Sequence, residues 1–141
     1  MFSLGEYYGK KREGNNPEKS FYFYLKAAEL NHPVAMYRLG HIYLYKCISD
    51  YSAWFVKYKI EKNGNLGCTY IHNSLLCKDS QETLYQKYGI YGNKFMKFKV
   101  YKELASMYEK GIGCPKDAAM AKTLYDESAK SLYDFSMKNV K

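Results

Sequence analysis

Leucine and tyrosine recur four residues apart along the chain, with a small residue directly after the leucine: Leu4-Gly5…Tyr8, Leu39-Gly40…Tyr43, Leu66-Gly67…Tyr70 and Leu104-Ala105…Tyr108. A separation of four sets both large side chains on one face of a helix, and the small residue lets a neighbouring helix come close. Each motif is followed, after a turn-like stretch, by a second segment: Phe21–Glu29, Ala53–Glu61, Thr83–Tyr88 and Ala121–Ala129. The pattern predicts a helix-turn-helix unit repeated four times, over residues 1–32, 33–64, 65–93 and 94–130. The last turn is the most explicit. In Lys110-Gly111-Ile112-Gly113-Cys114-Pro115-Lys116-Asp117, the glycines supply positive φ, Pro115 cannot continue a helix, and Asp117 is placed to cap the next one. Beyond it, Leu124, Ser128, Leu132, Phe135 and Val140 keep helical spacing, so one extended helix with a capping extension over 131–141 is expected to cover the last pair.

These motifs resemble the Sel-one-like repeat family, a relative of the tetratricopeptide repeats. Tyr108-Glu109-Lys110-Gly111-Ile112-Gly113-Cys114-Pro115-Lys116-Asp117, followed by Ala121 and Leu124-Tyr125, is similar to nearly the whole family unit. Leu25-Lys26-Ala27-Ala28-Glu29-Leu30-Asn31 resembles its second-helix ending. The middle two units depart from it, since the paired glycines are missing after Tyr43 and Tyr70 and the leucines are unevenly spaced. The resemblance implies an all-α, right-handed α-α superhelical solenoid of about four repeats, which serves as an adaptor or scaffold. Physical reasoning converges on stacking, because an isolated helix pair buries only one face.

The composition agrees with a folded chain of one domain. Of 141 residues, 47% are hydrophobic, and 17 Tyr with 7 Phe carry too much ring surface for a disordered polymer. The longest uncharged stretch, Asn63 to Cys77, is polar throughout and short of a membrane span. No export signal is read at the start of the sequence. Cys47, Cys68, Cys77 and Cys114 have no C-x-x-C spacing, so reduced thiols and a cytoplasmic location are expected.

Candidate chemistry is sparse. Cys68, His72 and Cys77 include one pair at helical spacing that could face a metal, but no fourth ligand accompanies them, and isolated cysteines behave as small hydrophobes. His32, His41 and His72 neighbour no nucleophile-and-base arrangement, so the expectation is a non-enzymatic protein without a cofactor or metal. Gly111 and Gly113 beside Lys110 and Lys116 follow a helix rather than a strand, and the repeat turn accounts for them. The recurrent tyrosines are read as inter-helix packing rather than a stacking ladder for nucleic acid.

The formal net charge of +8 raises the question of partners. Lys10, Lys11 and Arg12 cluster in a turn, and Lys94 and Lys99 lie with Lys97 and Lys102 in one predicted helix, so the first three and Lys94 and Lys99 are candidate phosphate contacts. A codon bias toward Lys, Asn and Tyr would produce the same excess without function. By analogy with tetratricopeptide arrays, the concave face would present Tyr37, Arg38, His41, Tyr45, His72, Lys102 and Lys110, with Lys10 at the equivalent place in the first unit. At the N-terminal end, Phe2, Tyr7, Tyr22 and Phe23 are expected to form an exposed apolar patch that docks on a partner or on a second copy. The function expected is a protein-binding adaptor. The alternative is a basic ribonucleoprotein accessory factor, such as a ribosome-associated protein that contacts rRNA and ribosomal proteins.

Overall fold

A computed structural model describes residues 2–9, 16–46, 58, 60–88 and 95–138. All seven elements among them are α-helices: α1 (Phe2–Gly9), α2 (Pro17–Glu29), α3 (Pro33–Tyr45), α4 (Gly64–Ser74), α5 (Gln81–Tyr88), α6 (Lys97–Lys110) and α7 (Ala118–Lys138). They fall in two compact units, Met1–Ser74 and Leu75–Lys141. The all-helical expectation holds, and within the first unit helix pairs stack as in an α-helical solenoid.

Short-range chemistry sets most helix starts. Asn16 Oδ1 accepts from the Lys19 amide at 3.1 Å ahead of Pro17, and Asn63 Oδ1 accepts from the Leu66 amide at 3.1 Å. Ser80 Oγ accepts from Thr83, and Asp117 Oδ1 from Met120 at 3.0 Å, as the turn sequence predicted. Each of these acceptors satisfies an amide that the helix itself leaves open. His32 does the same for α3 with a ring nitrogen, Nδ1 accepting from the Ala35 amide at 3.2 Å ahead of Pro33. Gly111 closes α6 at φ +72°, a conformation that costs a side-chain-bearing residue free energy.

In the first unit, α1 and α2 form an antiparallel hairpin. Ser20 Oγ donates to Gly5 O at 2.8 Å, and a Cβ on Gly5 would come within 2.7 Å of the Tyr24 ring. The α3 helix packs on α2, where Tyr43 meets Phe21 edge-on at 5.7 Å. The next hairpin joins α3 to α4. Gly40 faces Ile71 and Gly67 faces Leu44, so the two chains run in opposite directions. A Cβ on either glycine would lie within 3.0 Å of the other's carbonyl oxygen, and the absence of both side chains is what permits this crossing. The partner of α3 is therefore a helix whose Leu-Gly…Tyr motif marked it as the opening of a new pair. The segment expected to fill that role, Ala53–Glu61, is described only at Tyr58, Ile60 and Glu61, none of which is helical. Tyr58 nonetheless occupies the core. It is buried, its amide donates to Lys46 O, and Asn63 N donates to Tyr43 O at 3.0 Å to start the return.

The second unit centres on the antiparallel α6/α7 pair, with Val100, Leu104, Ala105 and Met107 buried against Ala121 and Leu124. The extended C-terminal helix is present and reaches Lys138, while Val140 lies outside the described residues. Leu39 and Leu104 are completely buried, as the repeat register requires. Leu66 is half-buried and Leu4 exposed. Gly5 faces α2 and Glu6 faces α3, and at about 100° per residue Leu4 points away from both.

Candidate protein-binding faces

The face expected to be concave is assembled on α3. Positions 37, 41 and 45 fall one helical turn apart, and their rings form a pile: Tyr37 and His41 have centroids 4.4 Å apart, His41 and Tyr45 5.8 Å. His41 is buried in the middle, Tyr37 half-buried, and Tyr45 exposed. Aromatic rings with one wet edge of this kind favour protein contacts, because they bury much area while losing little rotamer freedom.

Arg38, expected on the same face as a partner contact, is turned inward. Its Nε donates to Glu6 Oε1 at 2.9 Å, the Tyr24 hydroxyl donates to the same oxygen at 3.0 Å, and both charged side chains are about one-tenth exposed. Its guanidinium thus compensates a buried carboxylate rather than meeting a ligand. Next to this pair, Ser20 Oγ already donates to Gly5 O, which leaves the Tyr58 hydroxyl as the donor of their 2.6 Å bond. Burial pushes the Tyr58 phenol up to about 12 and holds that of Tyr24 well above its ordinary value, the Glu6 charge adding to the second effect. Glu6, Ser20 and Tyr58 were not singled out from the sequence. Glu6 alone carried a signal, as the only charged residue among the first nine of a basic chain.

The remaining candidates separate. His72 is half-buried on α4, where desolvation lowers its pKa, and Lys102 and Lys110 are exposed on α6. Lys99 is exposed on the same helix, whereas Lys10, Lys11, Arg12 and Lys94 lie outside the described residues. At the N-terminal end Tyr7 and Tyr22 are exposed, and Phe23 is half-buried with its ring edge-on to Tyr22 at 5.4 Å. Phe2 corrects the expected patch. It is only 6% exposed, stacked on His32 at 4.5 Å and tilted against Tyr24 at 5.7 Å, because its place on α1 aims it into the α2–α3 junction. Tyr43 and Tyr70 lie 5.8 Å apart with nearly parallel rings, both half-buried, in line with a packing role.

Cys68 and Cys114 are buried free thiols and Cys77 a half-buried one, and no group of three or more potential ligands converges among the described residues. No helix among those residues is long and apolar enough to cross a membrane.

A Sel1 repeat family model matches residues 1–32, 33–46 and 101–131. A Sel1 repeat protein from Oxalobacter formigenes, known from its crystal structure, aligns with 93% of the chain at 22% identity and a TM-score of 0.42. The chain spans 57% of that protein's length. No curated protein matches the sequence.

Proposed function

Because the chain belongs to the Sel1 repeat family, whose repeats mediate contacts between proteins, we propose that it is a non-catalytic adaptor which holds a protein partner on the α3 face. The observation that carries the reading is the ring pile of Tyr37, His41 and Tyr45, ordered from within by a buried histidine and open at Tyr45. The exposed rings Tyr7 and Tyr22 extend the apolar surface that a partner could cover. Arg38 supports the α3 face from behind instead of touching the partner.

The test is capture of partners by the full chain and by a Tyr37→Ala, Tyr45→Ala variant, with and without nuclease. The reading expects a protein captured by the wild type in both conditions and lost from the variant at unchanged helicity. Capture that disappears with nuclease, and falls steeply between low and moderate salt, would instead assign the interaction to nucleic-acid phosphates.

A further inference from the structure

Asn63 stands directly before Gly64 at the start of α4, and no other asparagine of the chain precedes a glycine. That pairing carries chemistry of its own. The side-chain amide carbon of an asparagine can close a five-membered ring with the backbone nitrogen of the next residue, and a glycine there has no Cβ to obstruct the closure. Asn63 is exposed, so water reaches its side chain. The Gly64 nitrogen takes part in no hydrogen bond among the described residues, as expected of the first amide of a helix. Nucleophile and target are therefore neighbours, and no bond occupies the nucleophile.

What restrains the reaction is the fold. Three hydrogen bonds hold Asn63: its amide donates to Tyr43 O at 3.0 Å, its carbonyl accepts from the Gly67 amide at 2.9 Å, and its Oδ1 accepts from the Leu66 amide at 3.1 Å. Bringing Cγ to bonding distance of the Gly64 nitrogen turns the side chain away from Leu66, so the α4 cap must release first. In the same turn, Gly67 crosses α3 where a Cβ would lie 2.7 Å from Leu44 Cγ and 2.9 Å from Gly40 O. The reactive step thus shares one helical turn with the α3/α4 crossing.

We propose that Asn63 is a self-modification site, converted to aspartate and isoaspartate at a rate set by opening of the α4 start. The Gly64 nitrogen gives up its proton to water and bonds to Asn63 Cγ, while the Cγ–Nδ2 bond breaks and ammonia leaves with a proton. Water then opens the five-membered imide. Cleavage between that nitrogen and Cγ leaves aspartate; cleavage between it and the main-chain carbonyl carbon leaves isoaspartate, with the chain routed through Cγ. Nothing is oxidised or reduced. Aspartate keeps an oxygen for the Leu66 amide and adds a negative charge where the helix dipole favours one. Isoaspartate adds a carbon to the backbone and misaligns the bonds to Tyr43, Leu66 and Gly67, so it loosens α4 from α3. The proposal uses none of the Tyr37, His41 and Tyr45 rings and is independent of the partner assigned to them.

The full chain, aged at neutral to mildly alkaline pH, is read by peptide mapping with mass spectrometry and by enzymatic methyl labelling of isoaspartate. Asn63 is expected to convert before any other asparagine. Conversion should run about tenfold faster in the urea-denatured chain than in the folded one, the factor that releasing the cap supplies. Gly67→Ala, which forces the crossing apart, should raise the native rate roughly threefold and leave the denatured rate unchanged. Circular dichroism checks that this variant folds; if it does not, the wild-type ratio of the two rates decides alone. Gly64→Ala should suppress conversion in both states. By hydrogen exchange, the isoaspartate form should lose protection at the Leu66 and Gly67 amides, whereas Asn63→Asp keeps it. An Asn63 that stays intact in the folded chain over many half-lives of the denatured reaction, equal rates in the two states, or earlier conversion of another asparagine would each overturn the proposal.

Discussion

The two compact units are held together by different physics. In Met1–Ser74 the helices approach so closely at Gly5, Gly40 and Gly67 that side chains are excluded at the crossings, and polar groups fill part of the interior. Glu6, Arg38 and Tyr24 form one set of buried hydrogen bonds there, and Ser20, Tyr58 and Gly5 O a second. In Leu75–Lys141 the α6/α7 interior is almost wholly aliphatic, with Ser128 Oγ donating to Phe98 O across the pair. The contrast teaches that the same repeat plan tolerates two kinds of core, provided each polar atom taken inside finds a partner. It also makes the first unit the more fragile to charge and pH, and the second the more fragile to lost volume.

The largest effect expected is from Arg38→Ala. Removing one member of a buried pair strands the other, which costs about 3–5 kcal/mol. Chemical denaturation of the full chain measures it, and replacing Glu6 by Leu in the same variant should recover part of the loss. A loss below about 1 kcal/mol would mean that solvent reaches the pair. Leu104→Ala tests the other kind of core and should cost about 2–5 kcal/mol, each residual void adding to the lost transfer energy. Hydrogen exchange should then show the α6/α7 amides losing protection, with those of α1 and α2 far less affected.

The smallest of these effects is an acid response at His32, in the first unit. Burial pushes the His32 imidazole down to about 4, and its Nδ1 must stay unprotonated to accept from Ala35. A group with a depressed folded pKa of this kind favours the neutral form. Its contribution is complete above the unfolded value of about 6.5 and is lost as pH falls toward 4, by about 1–2 kcal/mol once screening of the part-exposed ring is allowed for. His32→Asn keeps a capping oxygen without a titrating group, so its stability should vary less with pH over that window. An unchanged pH profile in that variant would remove His32 from the account.

Much of this protein was legible because its signals are local. Asp117 caps α7, Gly111 and Gly113 take positive φ, and Leu39 and Leu104 are buried, each as the repeat pattern required. The extended last helix followed from spacing alone, although its exposed Leu132 and Met137 show that it covers the pair on one side only.

What the tertiary structure alone decided involves partners far apart in the chain. Arg38 looks like a surface contact until Glu6, 32 residues earlier, is brought beside it. Tyr58 lies outside any helix, yet it seals the first unit through a bond to Ser20 across 38 residues. The α4 motif reads as the opening of a new pair, and only packing shows that α4 crosses α3 closely, at Gly40 and Gly67. Caps, turns and periodicity are decided within about four residues by hydrogen-bond geometry and so are written in the sequence itself. Burial of a charge, or the choice of a neighbouring helix, depends on which distant groups can compensate it, and that is decided only when the helices pack.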